Sequence, residues 1–144
     1  IVVLGYPCDL AQKEMPANAK KIAEMRDYLE TELLKIEHTS VNGNTTHRMY
    51  NVSNILFEGV DSDAMIMGLS NMETNSPLIA ISNGSACTST SIDPSHVLTA
   101  MGLDEKAAFS SIRFSLSKLN TRKEIDVVID QIKKVVLDLR TMAI

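Results

Sequence analysis

Two hydrophobic periods follow one another near the end of the chain, only a few residues apart. In SSIRFSLS, residues 110–117, apolar and polar side chains alternate. Ile112, Phe114 and Leu116 fall on one face and Arg113 and Ser115 on the other, the period of a half-buried strand. From residue 121 the period becomes helical, with Ile125, Val128, Ile129, Ile132, Val135, Val136 and Leu139 on one stripe. Thr121 and Glu124 have the spacing of a capping box, in which each side chain satisfies a backbone N–H of the first turn. This strand with an arginine on its polar face, followed by an amphipathic helix, points to a sheet covered by helices.

The same alternation of periods runs through the rest of the chain. Ile22, Met25, Leu29, Leu33 and Ile36 draw one stripe along a helix over residues 20–37, with Lys, Arg and Glu on its other face. Pro16 either opens this helix or bends a longer one that begins near Cys8 or Asp9. Asn42, Gly43 and Asn44 signal a turn, and YNVSNILF, residues 50–57, reads as a strand ended by Glu58 and Gly59. Asp61 or Ser62 caps a short helix through Leu69. LIAIS, residues 78–82, has the length of a buried strand and is closed by Asn83 and Gly84. Asp93 and Pro94 read as cap and first-turn residue of a helix through Met101, with Gly102 as its stop. The order is helix, strand, helix, strand, helix, strand, helix, which predicts a small α/β layer structure without internal repeats.

Composition narrows the function classes. The 144 residues carry 44% hydrophobic and 22% charged side chains, enough for one domain with its own core. A net charge of −4 with scattered Lys and Arg argues against a nucleic-acid surface. With no apolar run of membrane-spanning length and no signal-peptide pattern, a cytoplasmic protein is expected. Ile1, Val2, Val3 and Leu4 come without a preceding cap, so the chain is expected to be an excised fragment.

The two cysteines, Cys8 and Cys87, are expected as free thiols rather than one bridge. Cys8, beside Pro7 in an apolar setting, reads as packing. Cys87 sits among Ser85, Ala86, Thr88, Ser89, Thr90 and Ser91, none of which anchors a loop in a core, so the segment from Gly84 to Ile92 is expected to be exposed and mobile. Those surroundings leave two readings, a reactive thiol or a plain loop cysteine. Metal binding is not expected, because His38, His47 and His96 form no ligand pair with the cysteines at zinc spacing. His96, nine residues after Cys87, gives only a weak Cys-His hydrolase signal. No glycine-rich phosphate cradle or dinucleotide fingerprint is present.

SNGSACTSTSIDPSHVLTAMGL, SSIRFSLS and NTRKEID together resemble the C-terminal domain of the cysteine desulfurases, in the group of aminotransferase class V whose catalytic cysteine lies in a long SSGSACTS loop. NVSNILFEG is similar to the strand and turn that precede that family's short helix. The resemblance implies the small domain of a fold-type-I pyridoxal phosphate enzyme, with residues 1–19 as the remnant of an interdomain helix and 20–144 as the C-terminal domain. It implies that Cys87 takes sulfur from L-cysteine as a persulfide, leaving alanine, while pyridoxal phosphate serves as electron sink. Arg113 would hold the substrate carboxylate through a two-pronged pair that a lysine cannot reproduce; the plain alternative is a surface arginine in a salt bridge.

The same resemblance implies a homodimer with a large N-terminal domain, a sulfur acceptor protein and a place in iron-sulfur cluster assembly. Asn83 departs from the family's second serine, and the link over residues 70–82 is longer than usual. No lysine follows a histidine in the Schiff-base pattern, so this chain is expected to hold no cofactor lysine and to be inactive alone. Selenocysteine lyase activity and a stand-alone persulfide carrier or interaction module are the alternatives.

Overall fold

The computed structural model describes residues 2–70, 79, 81–83 and 93–142. Its sheet has three antiparallel strands in the order β1 (Thr39–Val41), β2 (Val52–Phe57) and β3 (Ser111–Ser115). Helices α1 (Val2–Leu33), α2 (Ser62–Ser70) and α5 (Arg122–Met142) pack on one side, and the five-residue helices α3 (His96–Ala100) and α4 (Glu105–Phe109) connect toward β3. The expected small sheet covered by helices is therefore present.

The alternation read from the sequence sets which face is buried. Ser53, Ile55 and Phe57 of β2 and Ile112 and Phe114 of β3 are buried, whereas Arg113 and Ser115 are exposed. Against the buried face lie Ile22, Met25, Leu29 and Leu33 of α1, Met65 and Leu69 of α2, and Ile125, Ile129, Ile132 and Val136 of α5, forming one apolar core. The register places Asn54 opposite Arg113 and Ile55 opposite Ile112. Cross-strand partners share a face, so Asn54 and Arg113 stand together on the side away from that core.

The end signals hold at the starts of α2 and α5 and at the end of α3. Thr121 N–H donates to Glu124 Oε2 at 2.7 Å and Glu124 N–H to Thr121 Oγ1 at 3.3 Å, the reciprocal pair expected of a capping box. Asp61 Oδ1 accepts from Ala64 N–H at 2.8 Å at the start of α2. Gly102 takes φ +92° after α3, the left-handed conformation of a helix stop.

Four expectations need correction. The first helix runs unbroken from Val2 with Pro7 and Pro16 inside it, and ends at Leu33 rather than 37, where the chain turns into His38 at φ +54°. Within its Lys, Arg and Glu face, Arg26 and Glu30 are buried. Cys8 is an exposed free thiol instead of a packing residue, because the first half of α1 stands clear of the core and its apolar neighbours in sequence spread around the helix. Helix α3 starts at His96 with Ser95 as its cap; Ser95 keeps ψ 114° and makes no side-chain capping bond, so Asp93 and Pro94 precede the helix. Of residues 78–82, the structure describes Ile79, Ile81 and Ser82, and Ser82 forms one isolated bridge to Arg113 instead of a strand. Strand β1 and helix α4 escaped the sequence reading, since elements of three and five residues carry too few positions for a period to emerge.

Candidate functional site

Arg113 occupies the centre of β3, with a neighbour on each edge. Towards β2 it pairs with Asn54; on the other edge its N–H donates to Ser82 C=O at 2.7 Å and its C=O accepts from Ser82 N–H at 3.4 Å. The strand period then directs its side chain away from the apolar core. Asn42 Nδ2 donates to Asn54 Oδ1 at 2.7 Å and to Ser111 Oγ at 2.9 Å, and Ser111 Oγ–H donates to Ala107 C=O at 2.7 Å. These bonds tie the turn after β1, both neighbouring strands and α4 into one polar frame around the arginine.

The side chain lines a groove of about 360 Å³ between the connection after β1 and helix α3. His47 and Arg48 form one wall, Val97 and Met101 the other, and Asn54 and Ser95 also line it. Gly43 lets the two walls approach: its φ is +89°, and a Cβ there would stand 3.2 Å from Met101 Cε. No carboxylate lines the groove among the described residues.

Arg113 differs from the four other arginines. Arg26 donates to Asp27 and to Met49 C=O, and Arg48 forks onto Glu30. Arg122 lies over the Tyr28 ring and beside Asp126, while Arg140 donates to the carbonyls of Glu37, His38 and Glu58. The guanidinium of Arg113 makes no hydrogen bond or ion pair among the described residues. An exposed fork with no carboxylate partner is suited to receiving a planar anion such as a carboxylate.

Glu30 dominates the electrostatics of the neighbouring Arg48. Its hydrogen bonds raise the Arg48 guanidinium's hold on its proton, opposed by partial burial and assisted by the charges of Glu30 and Asp27. Arg48 is therefore a paired cation at the wall, whereas Arg113 is exposed in the groove. Cys87 lies outside the described residues, as does the expected mobile segment around it. Among the described residues no three His, Cys, Asp or Glu side chains are placed to hold a metal ion, and no helix is long and apolar enough to cross a membrane.

The family model "Aminotransferase class-V" matches residues 1–128. Cysteine desulfurase IscS of Shewanella sp. (strain ANA-3) is 41% identical over 143 residues, 99% of this chain and 34% of the relative. A cysteine desulfurase of Enterobacter agglomerans is 44% identical over 144 residues, again 99% of this chain and 34% of the relative. Among solved structures, a NifS-like protein from Rickettsia africae ESF-5 superposes with a TM-score of 0.73 at 29% identity, covering 88% of this chain and 31% of its own. The chain thus spans about a third of the length of the curated relatives it matches.

Pyridoxal phosphate enzymes carry their cofactor on a lysine whose amine is activated by its surroundings. The lysines here do not fit that role. None of the nine is buried, and none lines the groove with Arg113. The described residues thus offer an exposed guanidinium in a groove, with no lysine placed beside it. On the extent of the family match and the identity to its relatives, the chain belongs to the class-V aminotransferase family.

Proposed function

We propose that this chain is the sulfur-accepting portion of a cysteine desulfurase, with residues 20–144 as its C-terminal small domain and 1–19 as part of an interdomain helix. The observation that carries the reading is Arg113, a guanidinium that among the described residues has no partner and lines a groove without carboxylates. In this role its fork binds the carboxylate of L-cysteine and fixes the direction in which the substrate thiol projects.

Chain connectivity supports Cys87 as the sulfur acceptor. Ser82 is hydrogen-bonded to Arg113 and Ser95 lines the groove, so the segment carrying Cys87 leaves from and returns to the same place. Cys87 is five residues from Ser82, a reach of at most about 18 Å. In the proposed step the Cys87 thiolate attacks the substrate sulfur. An S–S bond forms and the substrate C–S bond breaks; its electron pair passes to carbon, which takes a proton to give alanine. That electron pair needs a sink, which on this reading is pyridoxal phosphate held by residues other than those described here. The persulfide is then passed to an acceptor protein, with iron-sulfur cluster assembly in the cytoplasm as the use of the sulfur and a homodimer as the working form.

The test is Cys87→Ser in the holoenzyme containing this chain. Cofactor absorbance and L-cysteine binding are expected to persist, while alanine formation falls by a factor on the order of 100 or more, since a serine hydroxyl is scarcely ionised near neutral pH. Alanine release by Cys87→Ser at the parent rate contradicts the reading. The 144-residue chain alone, given L-cysteine and pyridoxal phosphate, is expected to release no alanine above the free-cofactor background.

A further inference from the structure

The wall of the Arg113 groove is fastened to α1 by a charge cluster that its reading as a substrate site does not use. Arg26 and Glu30, one helical turn apart on α1, are 8% and 6% exposed. Arg48, in the connection between β1 and β2, forks onto Glu30, with Nη2 2.7 Å from Glu30 Oε2 and Nη1 on Oε1. Arg26 Nη1 donates to the carbonyl of the next residue, Met49, at 2.8 Å. Asp27 Oδ1 accepts from Arg26 Nη2 at 2.6 Å and from Arg48 Nη2 at 3.4 Å, joining the two cations. Two cations and two carboxylates thus balance, and every bond from Arg48 and Met49 in the cluster runs back to α1.

The connection has little else to fix it on that side. Its tip is a local turn, Asn44 Oδ1 accepting from Thr46 and His47 N–H at 2.7 Å each, and the side chains of His47 and Met49 are exposed. Arg48 itself lines the groove beside Arg113. Both terminal nitrogens of Arg48 are engaged by Glu30 and Asp27 and its Nε is buried without a partner among the described residues, so the pairing keeps Arg48 from competing for a substrate carboxylate.

We infer that Glu30 and Arg48 are a positioning pair that sets the width of the groove in which Arg113 binds the substrate carboxylate; this rests on the substrate reading of that groove. Releasing Arg48 has two consequences. The wall is no longer held at a fixed distance from Arg113, and a second guanidinium becomes free to take the carboxylate in a wrong pose. Both weaken productive substrate binding without touching the reacting sulfur.

The experiment uses the holoenzyme containing this chain. Glu30→Gln keeps the size of the side chain and removes its charge. It is expected to raise the KM for L-cysteine roughly tenfold, in line with the cost of sub-ångström misplacement at a reaction site, with kcat within about twofold of the parent. Backbone amides of residues 44–49 should exchange hydrogen faster. Ile132→Val, a core change outside the cluster, serves as the control: it lowers thermal stability and leaves KM unaltered. If Glu30→Gln does not fold, Asp27→Asn at the exposed end of the cluster should raise KM about two- to threefold by loosening Arg48 alone. An unchanged KM in the variant that folds, or an equal rise in Ile132→Val, overturns the inference. Arg113→Ala separates this outcome from failure of the substrate reading. If it too leaves L-cysteine binding intact, the groove is not the substrate site; if it abolishes binding while the cluster variants do not change KM, only the positioning role fails.

Discussion

The two faces of one short sheet put adjacent residues to opposite uses. On the inner face Ile55, Phe57, Ile112 and Phe114 are buried against α1, α2 and α5, and their contribution is apolar area removed from water. On the outer face Asn54, Ser111 and Arg113 share hydrogen bonds with the β1–β2 connection and α4, or present a charge to solvent. A strand's period of two makes this possible, since Arg113 projects away from the core while its neighbours Ile112 and Phe114 are locked into it. Precision in the position of the arginine comes from the inner face; chemistry comes from the outer one. Substitutions on the two faces should therefore fail differently.

The largest loss of stability is expected on the inner face. Phe57→Ala removes a fully buried ring at the end of β2 and should lower unfolding free energy by about 3–5 kcal/mol, measured by denaturant titration. A loss below about 1 kcal/mol would mean the core face does not hold the sheet as described. An intermediate loss is expected where the outer face is polar but buried. Ser111 is 0% exposed, and its hydroxyl accepts from Asn42 and donates to Ala107 C=O. Ser111→Ala leaves both partners short of a bond and should cost about 1–2 kcal/mol in the same titration. No measurable cost would show that the polar frame around Arg113 contributes nothing to holding it.

The division between the faces was readable in the sequence wherever it is a local pattern. The alternation over residues 110–117 gave the side of Arg113, the Thr121 and Glu124 spacing gave the start of α5, and Asp61 gave that of α2. Such signals act between residues a few positions apart, so nothing elsewhere in the chain needs to be known. Pairings across the chain left no such trace. Nothing in the sequence distinguishes Arg26 and Glu30 from the other charged residues of their helix face, because only the fold brings Arg48 against them. The bridge between Ser82 and Arg113 likewise joins segments thirty-one residues apart. The cap of α3 was misread because Asp93 and Pro94 form a good local start signal, while Ser95 is kept extended and buried by the fold around it. The thiol at Cys87 stands out by its small, polar surroundings in the sequence, and its proposed role is argued from chemistry and connectivity.

The smallest stability effect and the most specific functional one are expected together at Arg113, where they test the account most directly. Arg113→Lys keeps a cation on the exposed side of β3 and removes the planar fork. In the holoenzyme containing this chain, unfolding free energy should stay within about 0.5 kcal/mol of the parent, as for an exposed side chain with no partner among the described residues. The KM for L-cysteine should rise at least about tenfold, because one ammonium cannot replace two parallel hydrogen bonds to a carboxylate. A KM equal to the parent's, with stability preserved, would contradict Arg113 as the carboxylate anchor and with it the substrate reading of the groove.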